Sequence, residues 1–463
     1  MRKLQFFALV ILPLSLSSAL TSNNALAQAG AVWNYDFRSY SDEQVELGRN
    51  LMFDRILSGN KNISCGTCHH SLAGTGDGLS LPVGEGGLGL GVTRSVGEGA
   101  DLVVERVPRN APPIFNLGDN SFDTFFHDGR VTSIGGEGMP SGCVTPAGMN
   151  LPDTLNDLLA CQAMFPVTSA AEMAGQAGEN PIADAAAQGD LAGPEGVWAL
   201  LAARLQAIPK YVELFKAAFP GDVRQADDIT FAHAANALSA FESVGWRADN
   251  SPFDRYIRGD DHAMSGNARW GMNLFYYGDS NGKSCADCHS GLYQTDNSFH
   301  AIAMPQIGTG RDSNSPGKTG GHEDFGREQV TGNAEDTLRF RTPTLRNVAL
   351  TPPYGHGGAF NSLRAVVEHH RNPVDSLYQY NDNRQAILPT HPNLDAENYI
   401  AMDDPDRVNF IADHNELQPY SYTDREIDAI IDFLHALTDP ASLDLRADQD
   451  VVNGVPSGLG LRD

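Results

Sequence analysis

Basic residues are scarce in this chain. Its 463 residues carry 32 Lys and Arg against 58 Asp and Glu, a formal net charge of -26. That balance repels phosphate backbones and anionic lipid surfaces, so nucleic acid and membranes are excluded as expected partners. Solubility, or the steering of a basic redox protein onto an acidic face, remains as the use of the charge. Long apolar runs are also missing beyond the first residues. The stretch Phe6 to Leu20 follows Arg2 and Lys3, is interrupted by Ser and Pro, and runs on to the small-x-small step Ala25-Leu26-Ala27. This is the layout of a secretory signal and not of a membrane span. Residues 1–27 are therefore expected to be a cleaved signal peptide, with an exported, periplasmic mature chain beginning near Gln28. No Cys follows the cleavage step, which excludes a lipoprotein anchor. Strand-rich blocks and low-complexity tracts are missing too, so a mostly α-helical fold is expected. Glycine, by contrast, is plentiful at 47 residues, which predicts long structured loops between the helices.

Cysteine is limited to six residues, and four of them lie in two identical patterns. Cys65-Gly-Thr-Cys68-His69 and Cys285-Ala-Asp-Cys288-His289 are both C-x-x-C-H. The spacing suits covalent haem attachment: each thiol adds across one vinyl group, and the trailing His is held under the iron as its proximal ligand. Zinc would need further Cys or His at short spacing, and a dithiol redox pair has no use for a trailing His twice. Two covalent haem c groups are the expected cofactors. Cys143 and Cys161 flank a polar, Pro- and Gly-rich segment, and in an oxidising compartment they are expected to form a disulfide closing the insertion 131–161.

The two halves share one grammar: a helical lead-in, the C-x-x-C-H turn, then a Gly-rich loop. The first lead-in runs from Asp42 to Phe53, with Leu47, Leu51 and Phe53 as its apolar set; the second runs from Ala263 to Tyr277, with Trp270, Met272, Leu274 and Phe275. Between them, Glu195 to Phe241 has apolar residues at helical spacing, broken at Phe219-Pro220-Gly221. A last helix starts at the capping box Thr423–Glu426, buries Ile427, Ile430, Ile431, Leu434 and Leu437, and ends at Pro440. Residues 440–463 read as an ordered or frayed tail without chemistry. The domain division expected is 28–194 for an N-terminal haem c domain and 195–463 for a C-terminal one that includes a helical connector, 195–262.

Four stretches give the chain a family resemblance. They are LGRNLMFDRILSGNKNISCGTCHH from Leu47, NSPFDRYIRGD from Asn250, FRTPTLRNVALTPPYGHGGAF from Phe340 and TDREIDAIIDFLHALTD from Thr423. Together they resemble the bacterial di-haem cytochrome c peroxidase and MauG family, over about Asp42 to Asp439. The resemblance implies two cytochrome c-like domains packed face to face and peroxide chemistry at the first haem. It implies Glu172 as acid/base and Gln162 as its helper, because Gln162-Ala-Met-Phe-Pro166 through Glu172-Met173 matches the family pattern at the same spacing. A calcium ion between the haems is also implied, held by the Asn110 side chain and the carbonyls of Thr351 and Pro353, since hard oxygen ligands suit it. Members are often homodimers.

The departures from the family are as informative. Where the well-known peroxidases place a second His on the first iron, this chain has Glu85, and no His or Met occurs from Ser71 to Phe126. The first iron is therefore expected to be open and high-spin without reductive activation, and Glu85 is not expected to ligate it. Fourteen residues past His356, where peroxidases carry Met and MauG carries Tyr, stands His370. His289 and His370 are expected to bracket the second iron, with His369 as the alternative register. Where the family has an inter-haem Trp, this chain reads Phe126-His127-Asp128-Gly129-Arg130, so His127 is the expected relay. The resulting expectation is an exported peroxidase that reduces H2O2 with electrons from a small cytochrome c or cupredoxin entering at the second haem. A MauG-like oxidation of a Trp or Tyr on a partner protein is the alternative, and a non-enzymatic di-haem electron carrier is the third reading.

Overall fold

A computed structural model describes residues 29–33, 37–99, 102–311, 323–446 and 454–461. The expected signal segment lies outside the described residues. Eight helices carry the argument below: α1 Asp42–Met52, α2 Leu158–Ala163, α3 Val197–Gln206, α4 Pro209–Ala218, α5 Phe231–Gly245, α6 Gly266–Tyr277, α7 Leu363–Arg371 and α8 Asp424–Ala436. Strands among the described residues are limited to two small antiparallel pairs, β1 Thr124–Phe125 with β2 Val131–Thr132, and β3 Phe299–His300 with β4 Phe340–Arg341. The fold is mostly helical, and no helix of the described residues is long and apolar enough to cross a membrane.

Local chemistry sets the helix starts. Ser41 accepts from the Gln44 N–H and Gln44 returns to the Ser41 N–H, so α1 opens on a capping box. Thr423 and Glu426 do the same for α8. Ser265 caps α6 by accepting from the Ala268 N–H, so this helix begins just inside the expected lead-in. Met272 and Phe275 of α6 are buried, whereas Trp270 is only partly buried, with Arg425 over its ring.

Two helix crossings organise the core. At Gly48 of α1 a Cβ would lie 1.9 Å from the Ala237 carbonyl oxygen of α5; at Gly271 of α6 it would lie 1.7 Å from that of Ala429 in α8. Only glycine lets the backbones approach so closely. An aromatic pair closes each crossing: Phe53 with Phe241 at 6.0 Å between ring centroids, and Phe275 with Phe433 at 5.1 Å. Phe241 and Phe433 each lie four residues beyond the crossing alanine. The two halves are thus built on one repeated helix pair.

The segment 195–262 was expected to accompany the second half, yet most of it packs with the first. Leu201 and Leu205 of α3, Phe215 of α4, and Phe231 and Phe241 of α5 share one buried cluster with Leu47, Leu51 and Phe53. The reason is that α5 is the partner that α1 requires at Gly48. Phe253 belongs to the second cluster, with Met272, Phe275, Ile430 and Phe433. A third cluster around Phe360, Leu377, Tyr380 and Ile411 takes in Leu81 from the first half.

Polar ties join the same segments. The Ser80 hydroxyl donates to the Gly358 carbonyl at 2.6 Å, and buried Arg109 pairs with Asp128 and Asp324, both at 2.6 Å. Residues 454–461 are docked: the Arg55 N–H donates to the Leu459 carbonyl at 3.0 Å and its guanidinium to Gly460 at 2.6 Å. Cys143 and Cys161 are bonded across a separation of 18 residues, fastening the insertion to α2.

Gly48→Ala and Gly271→Ala are each expected to lose about 3 kcal/mol or more of stability by overpacking, read as a shift of the denaturant midpoint. Gly221→Ala, where an added Cβ meets nothing within 4 Å, is the control and should move it little. Replacing Cys143 and Cys161 together by Ser is expected to cost about 3 kcal/mol, with the loss confined to the unfolded-chain term and both haem turns intact.

Candidate haem sites and the residues around them

Both C-x-x-C-H turns sit directly after the first helix of a crossing pair. The turn Cys65–Cys68 packs on the end of α1, where a Cβ on Gly66 would lie 2.3 Å from the Phe53 ring. His69 follows, and its Nδ1 is bonded to the Thr75 carbonyl at 3.0 Å. In the second half His289 makes the same bond to the Gln294 carbonyl, also at 3.0 Å. A carbonyl partner fixes Nδ1 as the protonated nitrogen and leaves Nε2 as the metal-binding one. Cys65, Cys68, Cys285 and Cys288 are not disulfide-bonded. Burial pushes the Cys65 and Cys285 thiols up to about 12. Two thiols and a trailing His in each turn are the donors that covalent haem attachment uses.

The second site is a largely apolar cavity reaching from Cys285 and His289 to His370, with Phe275, Ile430 and Leu434 in its walls. His370 bonds through Nδ1 to the Val366 carbonyl of its own helix α7 at 2.8 Å, and its ring faces His289 with centroids 6.4 Å apart. That centroid spacing is what two imidazoles sharing one metal through bonds of about 2 Å would show. His369 is differently employed: Nε2 meets the Ile302 carbonyl at 2.9 Å and Nδ1 the Ser376 hydroxyl at 3.1 Å, with the ring fully buried. Both of its nitrogens are committed to holding α7.

The same cavity reaches His127, Asn110, Thr351 and Pro353. His127 Nε2 bonds to the Asn110 carbonyl at 3.1 Å, and burial with the Arg109 charge beside it lowers its pKa to about 4, so the ring is neutral near pH 7. The Asn110 amide donates to the Leu79 carbonyl at 2.7 Å, which turns its side-chain oxygen the other way. That oxygen and the carbonyls of Thr351 and Pro353 are the hard donor types a calcium ion takes.

Around the first site the chain gathers carboxyl groups. Glu172 lies on the tight turn Ala170–Ala174, opened by the Ser169 hydroxyl accepting from the Glu172 N–H at 3.3 Å. Burial raises its carboxyl above the ordinary range, against the opposing pull of Arg130 and Arg311. The turn is clamped from two sides: the Gly59 N–H donates to Met173 at 2.7 Å and the Glu85 N–H to Ala171 at 3.1 Å. A Cβ on Gly84 would lie 1.9 Å from the Ala171 oxygen, so the loop fits only as glycine. The Glu85 side chain accepts from the amides of Asn60 at 2.7 Å and Asn62 at 2.6 Å, which makes it a fastener of this loop. Gln162 is partly buried on α2, the helix that Cys161 anchors.

Sequence reasoning passed over three further groups here. Arg94 is buried and its guanidinium holds the carbonyls of Val83, Gly84 and Gly89. Asp77 is 1 % exposed, and burial pushes its carboxyl up to about 7. Glu242 of α5 is also buried, beside the Cys65 sulfur. Each is a charged residue in a segment that reads as loop or helix surface, and burial is the only signal that marks it.

Comparison with known proteins agrees with this geometry. Residues 42–262 match the family model described as di-haem cytochrome c peroxidase. The chain is 31 % identical over 332 residues to the methylamine utilization protein MauG of Methylorubrum extorquens, covering 71 % of this chain and 68 % of that protein. It is 29 % identical over 327 residues to the cytochrome c551 peroxidase of Pseudomonas aeruginosa, covering 71 % of each. Among solved structures, the diheme peroxidase BthA of Burkholderia thailandensis superimposes with a TM-score of 0.54 at 20 % identity, over 90 % of this chain and 91 % of that one. A MauG-like protein associated with microbial copper homeostasis gives a TM-score of 0.53 at 22 % identity, over 90 % and 94 %. The protein is therefore a member of the di-haem cytochrome c peroxidase family. It is accordingly an oxidoreductase that acts on peroxide and carries two c-type haems.

The two adjacent histidines of α7 separate by experiment. His370→Ala is expected to convert the second haem from low-spin to high-spin with both haems still attached, read in the electronic spectrum. His369→Ala should leave it low-spin and cost about 2 kcal/mol of stability through the unpaired Ile302 carbonyl and Ser376 hydroxyl.

Proposed function

We propose that this chain reduces hydrogen peroxide to water at the first haem site, using electrons that a small cytochrome c or cupredoxin delivers through the second. The observation that carries the reading is an asymmetry. His289 faces a second imidazole, His370, across a gap sized for one metal. The loops beyond His69 offer Glu172 and contain neither His nor Met from Ser71 to Phe126.

The haem, when bound at His69, supplies an iron able to hold peroxide and take up oxidising equivalents. The protein's part is proton handling. Glu172 accepts a proton from the inner peroxide oxygen on its carboxylate and returns it to the outer oxygen, so that water can leave. Gln162 orients the peroxide or the carboxylate. The raised pKa brings Glu172 closer to working pH, and Arg130 and Arg311 keep an ionised fraction available. His69, steered by the Thr75 carbonyl, holds the opposite side. His127, neutral and bonded to the Asn110 carbonyl, serves as the inter-haem relay, and a calcium ion on Asn110, Thr351 and Pro353 stiffens that region. Export with removal of residues 1–27, and two cytochrome c-like domains, complete the proposal.

Oxidation of a Trp or Tyr on a partner protein is the second reading. Its support is the 31 % identity to MauG together with a first loop that offers no second imidazole. His127 weighs against it, because imidazole is a poorer hole carrier than the indole it replaces. A pure electron carrier would have no use for the clamped Glu172 turn.

The test adds H2O2 to the holoprotein with and without a reduced small cytochrome c or cupredoxin, and follows donor oxidation. Peroxide-dependent turnover is expected, and Glu172→Gln should lower it about 100-fold to about 10,000-fold with both haems attached. The proton-accepting form of Glu172 is the carboxylate. Turnover in the native protein should therefore fall as pH drops through a value above the usual carboxylate range, and the variant should lack that limb. Normal turnover in the variant would overturn the assignment.

A further inference from the structure

The repeated helix pair allows the two haem sites to be compared position by position. With Ala237 set on Ala429 and Phe241 on Phe433, Leu238 falls on Ile430 and Glu242 falls on Leu434. Ile430 and Leu434 line the second cavity, whose walls contain no Asp or Glu among the described residues. The His300 in that wall pairs with Asp296 and Glu416 at 2.9 Å each, and those partners raise it to about 11, so it stays charged from about pH 6 to about pH 9. The first site thus carries a carboxyl where the second carries a leucine. Glu242 is 8 % exposed, and burial, reinforced by Asp157, pushes it up to about 8. Glu242 and Glu172 both raise the Cys65 thiol electrostatically.

A path to water is present. On α5, Asn236, Ser239, Glu242 and Ser243 recur at helical spacing as one polar strip on a mostly apolar helix. The Ser239 hydroxyl donates to one oxygen of Asp157 at 2.8 Å, and the Tyr40 hydroxyl donates to the other at 2.6 Å. Ser243, one residue beyond Glu242, is buried. Tyr40 and Asp157 are partly exposed, so these bonds run from the surface to Ser239, which stands three residues before Glu242 on the same helix. Two further charged groups are packed nearby: Arg49 of α1, which lies over the Phe241 ring and pairs with Glu46 at 3.6 Å, and Arg247, whose guanidinium donates to the Ser243 carbonyl at 2.7 Å.

Peroxide reduction consumes two electrons and two protons for each H2O2 converted to two waters. Glu172 moves a proton between the peroxide oxygens and adds none to that balance. We propose that Glu242 is the proton-exchanging group of the first haem site, protonated from solvent along the Tyr40–Asp157–Ser239 strip when the first haem gains an electron. The electron comes from the reduced donor protein and the proton from water; the carboxylate becomes a carboxylic acid, and the added charge at the haem is neutralised. Both are later released to peroxide, and Glu242 takes up a second proton from water when the second electron arrives from the donor, which completes two waters. A haem held at His289, where Leu434 stands in the place of Glu242, would have no such carboxyl to protonate. Glu242 is a positioning residue in this scheme and does not touch peroxide. The proposal rests on the preceding reading for which haem meets peroxide, but its test uses none, so the two can fail separately.

The experiment is a spectroelectrochemical titration of the holoprotein from about pH 6 to about pH 9, bracketing the raised carboxyl. The first-haem potential is expected to fall with rising pH, approaching about 59 mV for each tenfold drop in proton concentration, while the second stays flat. Glu242→Gln should flatten the first-haem slope with two haems per chain retained, and Glu172→Gln should keep it. Asp157→Asn removes the charge that raises Glu242 while keeping a capping side chain for α2, so the sloping window should move to lower pH. Equal slopes in the native protein and Glu242→Gln, no slope in the native protein, or an unmoved window in Asp157→Asn would each overturn the proposal.

Discussion

Backbone contact at two glycines is the constraint on which the rest of the structure depends. Gly48 against Ala237, and Gly271 against Ala429, bring two helices closer than any side chain allows. Each contact fixes where the following attachment turn leaves its helix, and therefore where His69 and His289 stand. The Phe pairs beyond the crossings then close the core beneath each turn. Geometry at the two sites is alike up to this point, and every functional difference is built on top of it.

Those differences are electrostatic. In the second site a second imidazole, His370, faces His289 across a largely apolar cavity. The first site has Glu172, Asp77 and Glu242 buried near its cysteines, each pushed toward the neutral form by loss of water. Buried carboxyls are costly, and a protein keeps them where protons must be held at working pH. Arg94 and Glu85 stabilise the loop near this site by hydrogen-bonding backbone and amides.

Much of this was legible in the sequence, for specific reasons. Covalent attachment dictates the C-x-x-C-H spacing, so both turns were readable residue by residue. The His370 register followed from the count after His356, and the buried hydrogen bonds of His369 give the physical reason why its neighbour faces His289. Helix starts at Ser41 and Thr423 were written in capping chemistry. The grouping of 195–245 was not legible, because periodicity reveals that a helix has an apolar face but not which helix will cover it. Glu242 was hidden for a related reason: a glutamate in a helix reads as solvent-facing until the partner helix is known. Only when Ala237 is set on Ala429, a pairing that the helix crossings reveal, does it fall opposite Leu434. The docked tail at 454–461 depends on backbone contacts with Arg55 that no side-chain pattern encodes.

The single disulfide carries a consequence for biogenesis. Cys143 and Cys161 must be oxidised, whereas Cys65, Cys68, Cys285 and Cys288 must each present a reduced sulfur to a vinyl group. Both requirements fall on one chain, and in an oxidising compartment they are in competition, since two vicinal pairs are poised to cross-link first. Maturation therefore demands thiol sorting: a reductant that reopens the vicinal pairs and spares the bond buried against α2. The order of events during assembly is in this way set by six sulfur atoms before either metal centre exists.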